Sequence, residues 1–131
     1  MPLSVYWANA MLDHALGIED YDAPATIYVG LSQDDPLEDG SGIVEPTGGS
    51  YARAETTAAD WNAASDKVVD NANQVAFPSP TASWGTCTHF FLHDGEHFLG
   101  GDELDASITP ISGQNVYFLA NALRLKIDRN T

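Results

Sequence analysis

Basic residues are nearly missing from this chain. Five of its 131 residues are Lys or Arg (Arg53, Lys67, Arg124, Lys126 and Arg129), against nineteen Asp or Glu, for a formal net charge of -14. Nucleic-acid binding rests on Lys and Arg contacts to phosphates and on counterion release. The chain lacks the cations for that, and anionic membrane surfaces are disfavoured for the same reason. The acid excess serves solubility and keeps sheet edges apart. Cysteine is almost absent too. Cys87 stands alone, which excludes an intrachain disulfide and a cysteine-ligated zinc site. No run approaches the ~18 to 20 apolar residues that span a bilayer. The start, MPLSVYWANAMLDHAL, has no basic n-region and no small-residue cleavage site, so it does not read as a signal peptide. The chain is expected to be made, and to fold, in a reducing cytoplasm.

What is present is a globular composition, 44% hydrophobic, in a length that suits one domain over residues 1–131 and can bury a core without staples. Ser4 is a good N-cap. After it Val5, Ala8, Leu12 and Leu16 recur at helical spacing, Met11 and Ala15 widen the stripe, and Gly17 is a natural stop. The spacing predicts an amphipathic helix over 5–16, with Asn9 and Asp13 on its solvent face. Everything afterwards reads as strands: 26–32, 51–58, 73–78, 86–93, 96–104, 115–120 and 122–128. Asp94-Gly95 marks a hairpin turn. In the last segment Leu123, Leu125 and Ile127 alternate with Arg124, Lys126 and Asp128, as in a half-buried strand. One short N-terminal helix followed by about seven strands, out to about residue 127, predicts a mainly β fold. The expected form is an antiparallel β-sandwich or jelly-roll-like module.

The loop DGSGIVEPTGGSYAR, residues 39–53, has the glycine content of a phosphate cradle but not its chemistry. A P-loop needs GxxxxGK[ST], and no lysine is here. A dinucleotide loop needs GxGxxG opening a helix. Gly40 and Gly42 fit the first two places, but Glu45 takes the third, where its carboxylate would repel pyrophosphate. The glycines therefore read as turn formers. The acidic run Asp34, Asp35, Glu38, Asp39 is a weak calcium candidate, because its spacing is not that of an EF-hand. His93 and His97, flanking the hairpin turn with Glu96, are a weak zinc or iron candidate at an open tip. No metal or other cofactor is expected. In a regular strand Cys87, His89, Phe91 and His93 share one face, and Thr86, Thr88, Phe90 and Leu92 the other. His89 then lies about 7 Å along from Cys87, too far for a nucleophile–base pair. No GxSxG elbow is present, and no enzyme activity is expected.

Four blocks in order carry a resemblance: ATIYVGLS, DGSGIVEPTGGSYAR, DWNAAS and QVAFPSPTASWGTCTHFFLHD. From about Ala25 to Asp94 they resemble the short tail fibre-type proteins of tailed bacteriophages. That family runs V-G-L-S, then E-P-x-G-G-x-Y-A-R, then N-W or D-W, then a W-G-x-V-T-H-F strand. The resemblance implies a non-enzymatic, β-rich virion structural protein, homo-oligomeric with a trimer favoured, and joined to other virion proteins of tail or capsid. Two departures stand out. Cys87 replaces a small β-branched residue, and the hairpin HDGEHF is shorter and more polar than the usual one.

Tyr51, Arg53, Trp61 and Trp84 are the expected interface residues, since aromatics and arginine dominate interface centres. The two tryptophans also suit a core. Arg53, isolated among acids, is expected to pair with Glu45, Glu55 or an acid of a neighbouring subunit. Two other functions fit the same residues. One is a capsid decoration or cement protein on the major capsid protein. The other is a glycan- or calcium-binding adhesion module.

Overall fold

The computed structural model describes residues 3–126. The chain is mainly β, with antiparallel sheets and one short helix near its N-terminus. The helix, α1, spans Val5–Ala15. Ser4 Oγ accepts the Trp7 N–H at 3.0 Å, and Leu16 caps the other end. Gly17 follows at φ +78°, the left-handed stop that glycine adopts without a Cβ penalty.

The helix differs from expectation in where its apolar stripe points. Val5, Leu12 and Leu16 stay 49%, 61% and 75% exposed, and Asp13 is half-buried. The helix is moored by its start. Ser4 N–H donates to Leu99 O at 2.8 Å and Leu3 bridges Gly100. From there it leans on the sheet through Trp7, which leaves the aliphatic stripe outward.

The main sheet has four antiparallel strands in the order β2-β1-β5-β6. They are β1 Ile27–Ser32, β2 Ala54–Thr56, β5 Cys87–His93 and β6 Phe98–Ile108. Two short ribbons complete the fold. β3 Val68–Asp70 pairs β8 Arg124–Lys126, and β4 Val75–Ala76 pairs β7 Tyr117–Phe118. All of the strands expected from the sequence are found, several of them shorter. Ile127 and Asp128, the end of the expected last strand, lie outside the described residues. β3 was not expected. Its turn is Asp66-Lys67, both at positive φ, a conformation that hairpins usually signal with Asn-Gly.

One face of the sheet carries the core. Val29, Leu31, Phe90, Leu92 and Leu99 meet Val75, Phe77, Trp84 and Leu123 from the segments laid across them. Cys87 joins this cluster and is fully buried. That corrects the strand-face expectation. A bulge between Cys87 and His89 breaks the alternation and turns Cys87 inward beside Phe90 and Leu92, away from the face of Phe91.

The second face is built around Phe91. Its cross-strand neighbours are Gly30 on β1 and Gly101 on β6. A Cβ on Gly30 would overlap the Phe91 ring, and one on Gly101 would lie 2.7 Å from Phe90 O. Two glycines thus make room for one ring, which is fully buried although it faces away from the core.

Candidate functional site

Arg53, at the end of the loop 39–53, covers that ring, and Phe98 lies beside it. The loop is part of the connection from β1, which ends at Ser32, to β2, which starts at Ala54. Gly40, at φ +80°, rests on Phe98, where a Cβ would come within 2.8 Å of the Phe98 side chain. Farther on, Arg53 grips Glu45 with both arms. Nη2–Oε1 is 2.7 Å and Nε–Oε2 is 3.1 Å, the planar fork that suits a carboxylate. The guanidinium carbon lies 5.1 Å from the Phe91 ring centroid, within cation–π range.

Tyr51 completes the arrangement. Its hydroxyl donates to Glu45 Oε2 at 2.8 Å and accepts the Leu31 N–H at 3.0 Å. The second bond has a structural reason. β2 pairs β1 only along Ile27–Val29, so the next N–H groups on that side, those of Leu31 and Gln33, need other acceptors. Tyr51 Oη serves Leu31, and Val44 O serves Gln33 at 2.8 Å. The loop therefore substitutes for the missing length of β2.

Charge follows geometry. Burial pushes the Glu45 carboxyl up, but the hydrogen bonds from Arg53 and Tyr51 outweigh it and hold the group below its ordinary value. Burial pushes the Tyr51 phenol up strongly, so it remains a donor. The Glu45 bond raises Arg53 further.

The two tryptophans take different places. Trp84 is 2% exposed and sits in the core. Its indole donates to Gly49 O at 2.8 Å and meets the Tyr51 ring edge-on at 5.1 Å. The structure thus joins Tyr51, Arg53 and Trp84 into one network with Glu45. Trp61 is half-buried elsewhere, donating to Thr56 Oγ1 at 2.9 Å. Two polar participants gave no sequence signal. Gln33 Nε2 donates to Trp84 O at 2.7 Å. Asn71, fully buried, donates to Asn73 O and Leu119 O and accepts the Leu123 N–H, each at 2.9 Å. Both lie in polar stretches that read as surface.

The acidic run spends carboxylates on its own turns. Asp34 accepts the Asp35 N–H, Asp35 the Leu37 N–H and Asp39 the Ser41 N–H, at 2.8, 2.9 and 2.9 Å. At the β5–β6 hairpin, Asp94 Oδ1 accepts the N–H groups of Glu96 and His97. His93 Nδ1 accepts the Gly95 N–H at 2.9 Å, and His97 stacks on Tyr6 with centroids 3.9 Å apart. Burial first, then the Arg53 charge, lowers His93 below its ordinary value. Burial alone raises Cys87. Among the described residues no group of three or more His, Cys, Asp or Glu is placed to hold a metal ion, and no helix is long and apolar enough to cross a membrane.

A family model described as "Podophage GP4 fiber I protein gp80" matches residues 2–126. No curated protein matches the chain.

Proposed function

The chain belongs to the podophage GP4 fiber I protein gp80 family, a family of virion structural proteins, and we propose that it acts as a non-enzymatic fibre-type module held on the particle by protein–protein contacts. The observation that carries this reading is the family match, which runs across nearly the whole chain. The site geometry supports it. Glu45, Tyr51, Arg53 and Trp84 are spent on one another and on backbone groups, so the loop is a brace. Nothing in that brace offers an activated nucleophile.

The module is one domain over residues 1–131. It associates with itself, a trimer being favoured by its place on a virion, and with other virion proteins. Tyr51, Arg53 and Trp84 contribute to assembly by fixing the loop, and Trp61 by its partly exposed ring. Apolar side chains left outside, such as Leu12 and Leu119 at 61% and 62% exposed, supply contact area of the kind that marks interaction surfaces. The test is antibody labelling of intact phage particles under the electron microscope. Label confined to the tail supports the fibre reading. Label spread over the head favours a capsid decoration protein, and particles without label contradict both.

A further inference from the structure

Two extended stretches of this molecule end a sheet without a strand beyond them. β6 is an edge strand of the main sheet. It pairs β5 at His89–Glu103 and again at Cys87–Ile108, so Leu104, Asp105, Ala106 and Ser107 bulge from the ladder with no β5 residue opposite them. β7 pairs β4 and no other strand. Edges of this kind are templates for an added strand.

Both stretches line one pocket of about 220 Å³. It reaches the core, because Leu31 and Phe90, 0% and 7% exposed, line it with Leu104 of the bulge and Phe118 of β7. Small-molecule sites usually hold about 300 to 1,000 Å³. This pocket is smaller than that and suits a single apolar side chain. A more open hollow of about 570 Å³ shares Val116, Tyr117 and Ala122 with it, so the two are continuous.

The charge at the pocket has one sign. Glu103 and Asp105 line it, and no Lys, Arg or His lines either hollow. Asp35, Asp39, Asp60 and Asp94 spend their carboxylates on turn N–H groups, and Glu45 spends its own on Arg53. The carboxylates of Glu103 and Asp105 are exposed and have no such partner among the described residues.

We propose that this pocket receives an apolar side chain of another virion protein, carried on an extended segment that pairs with these edges and sets Lys or Arg against Glu103 and Asp105. The inference rests on the fibre-type reading and names the chemistry of a partner within it. The bulge and β7 offer backbone pairing, the apolar walls take the anchor, and the two carboxylates select a basic segment over an acidic one. A second copy of the chain does not match. It has the same net charge of -14, and its own alternation of bases with an apolar residue, Arg124–Lys126, is already paired along β3.

The test has two arms, with circular dichroism confirming that each variant is folded. In the first, methyl resonances of the purified intact chain are followed by NMR as the pentapeptide amide Lys-Val-Leu-Val-Lys, or its Glu-flanked counterpart, is added. The basic peptide should shift Leu31, Leu104 and Val116 saturably and bind about tenfold or more tighter than the acidic one. Asp105→Lys should abolish that preference, and Ala122→Trp, which crowds both hollows, should block binding. In the second, phage encoding Glu103→Lys with Asp105→Lys should lose the chain from purified particles. Phage encoding Asp22→Lys with Glu55→Lys, the same charge change at two other exposed acids, should keep it. Methyls that do not shift, or two peptides that bind equally, overturn the proposal. A Glu103→Lys, Asp105→Lys chain retained on particles also overturns it and leaves the fibre reading standing. A wild-type chain missing from particles overturns the fibre reading itself.

Discussion

Arg53 holds both carboxylate oxygens of Glu45, at 2.7 and 3.1 Å, and roofs the Phe91 ring with the same guanidinium. The pair ties the two ends of a turn together over the second face of the sheet. Truncating Arg53 leaves a half-buried carboxylate without its cation and uncovers a ring. Arg53→Ala is expected to cost roughly 2 kcal/mol, and Arg53→Lys much of that, because an ammonium cannot fork. Lys67→Ala, at an exposed turn, should stay within about 0.5 kcal/mol. Urea unfolding measures all three, and equal midpoints for Arg53→Ala and Lys67→Ala contradict the brace.

Glu45 also predicts an acid response. Its carboxyl lies below its ordinary value in the fold, so unfolding takes up a proton at low pH. Its contribution is complete above the ordinary carboxylate range and is lost as pH falls through the folded value. His93, lowered by burial and then by Arg53, acts in the same direction from a higher starting pH. Stability should therefore decline in two stages on acidification. Glu45→Gln should be less stable at neutral pH and show a smaller lower stage, the remainder coming from Asp39, Asp60, Asp70 and Asp94, which hydrogen bonds also hold below their ordinary value, as read by melting temperature against pH.

Gly30 tests the packing of the second face. A methyl there would strike the Phe91 ring, and forcing extra atoms into a filled site costs about 1 to 3 kcal/mol. Gly30→Ala should lower the melting temperature, and Phe91→Leu in the same chain should recover part of the loss. A double variant no better than the sum of the single ones contradicts direct contact.

Asn71 is a fully buried amide that makes three side-chain hydrogen bonds. Asn71→Asp replaces an amide that donates to Asn73 O and Leu119 O with a carboxylate facing two carbonyls. Asn71→Asp is expected to cost about 3 kcal/mol or more, and Asn71→Ala somewhat less. Chemical denaturation checks both.

These residues also mark what the sequence made legible. The helix, the strong strands at 27–32 and 87–93 and the hairpin at Asp94-Gly95 follow from local periodicity and turn chemistry. The pairing of Arg53 with Glu45 was among the expected ones because cations are scarce. Other features depend on long-range register. That Phe91 is flanked by Gly30 and Gly101 requires knowing that β1, β5 and β6 are neighbours. The role of Asn71 requires knowing that residue 123 returns beside it. The bulge after Cys87 and the Asp66-Lys67 turn are set by backbone conformations that those residue types seldom announce.

The most direct measurement is the copy number of the chain in purified phage particles, by gel densitometry or quantitative mass spectrometry against the major capsid protein. A fibre-type module is expected in a few copies per tail, in small multiples set by tail symmetry. Hundreds of copies, in step with the capsid protein, would contradict the fibre assignment, and so would particles that lack the chain altogether.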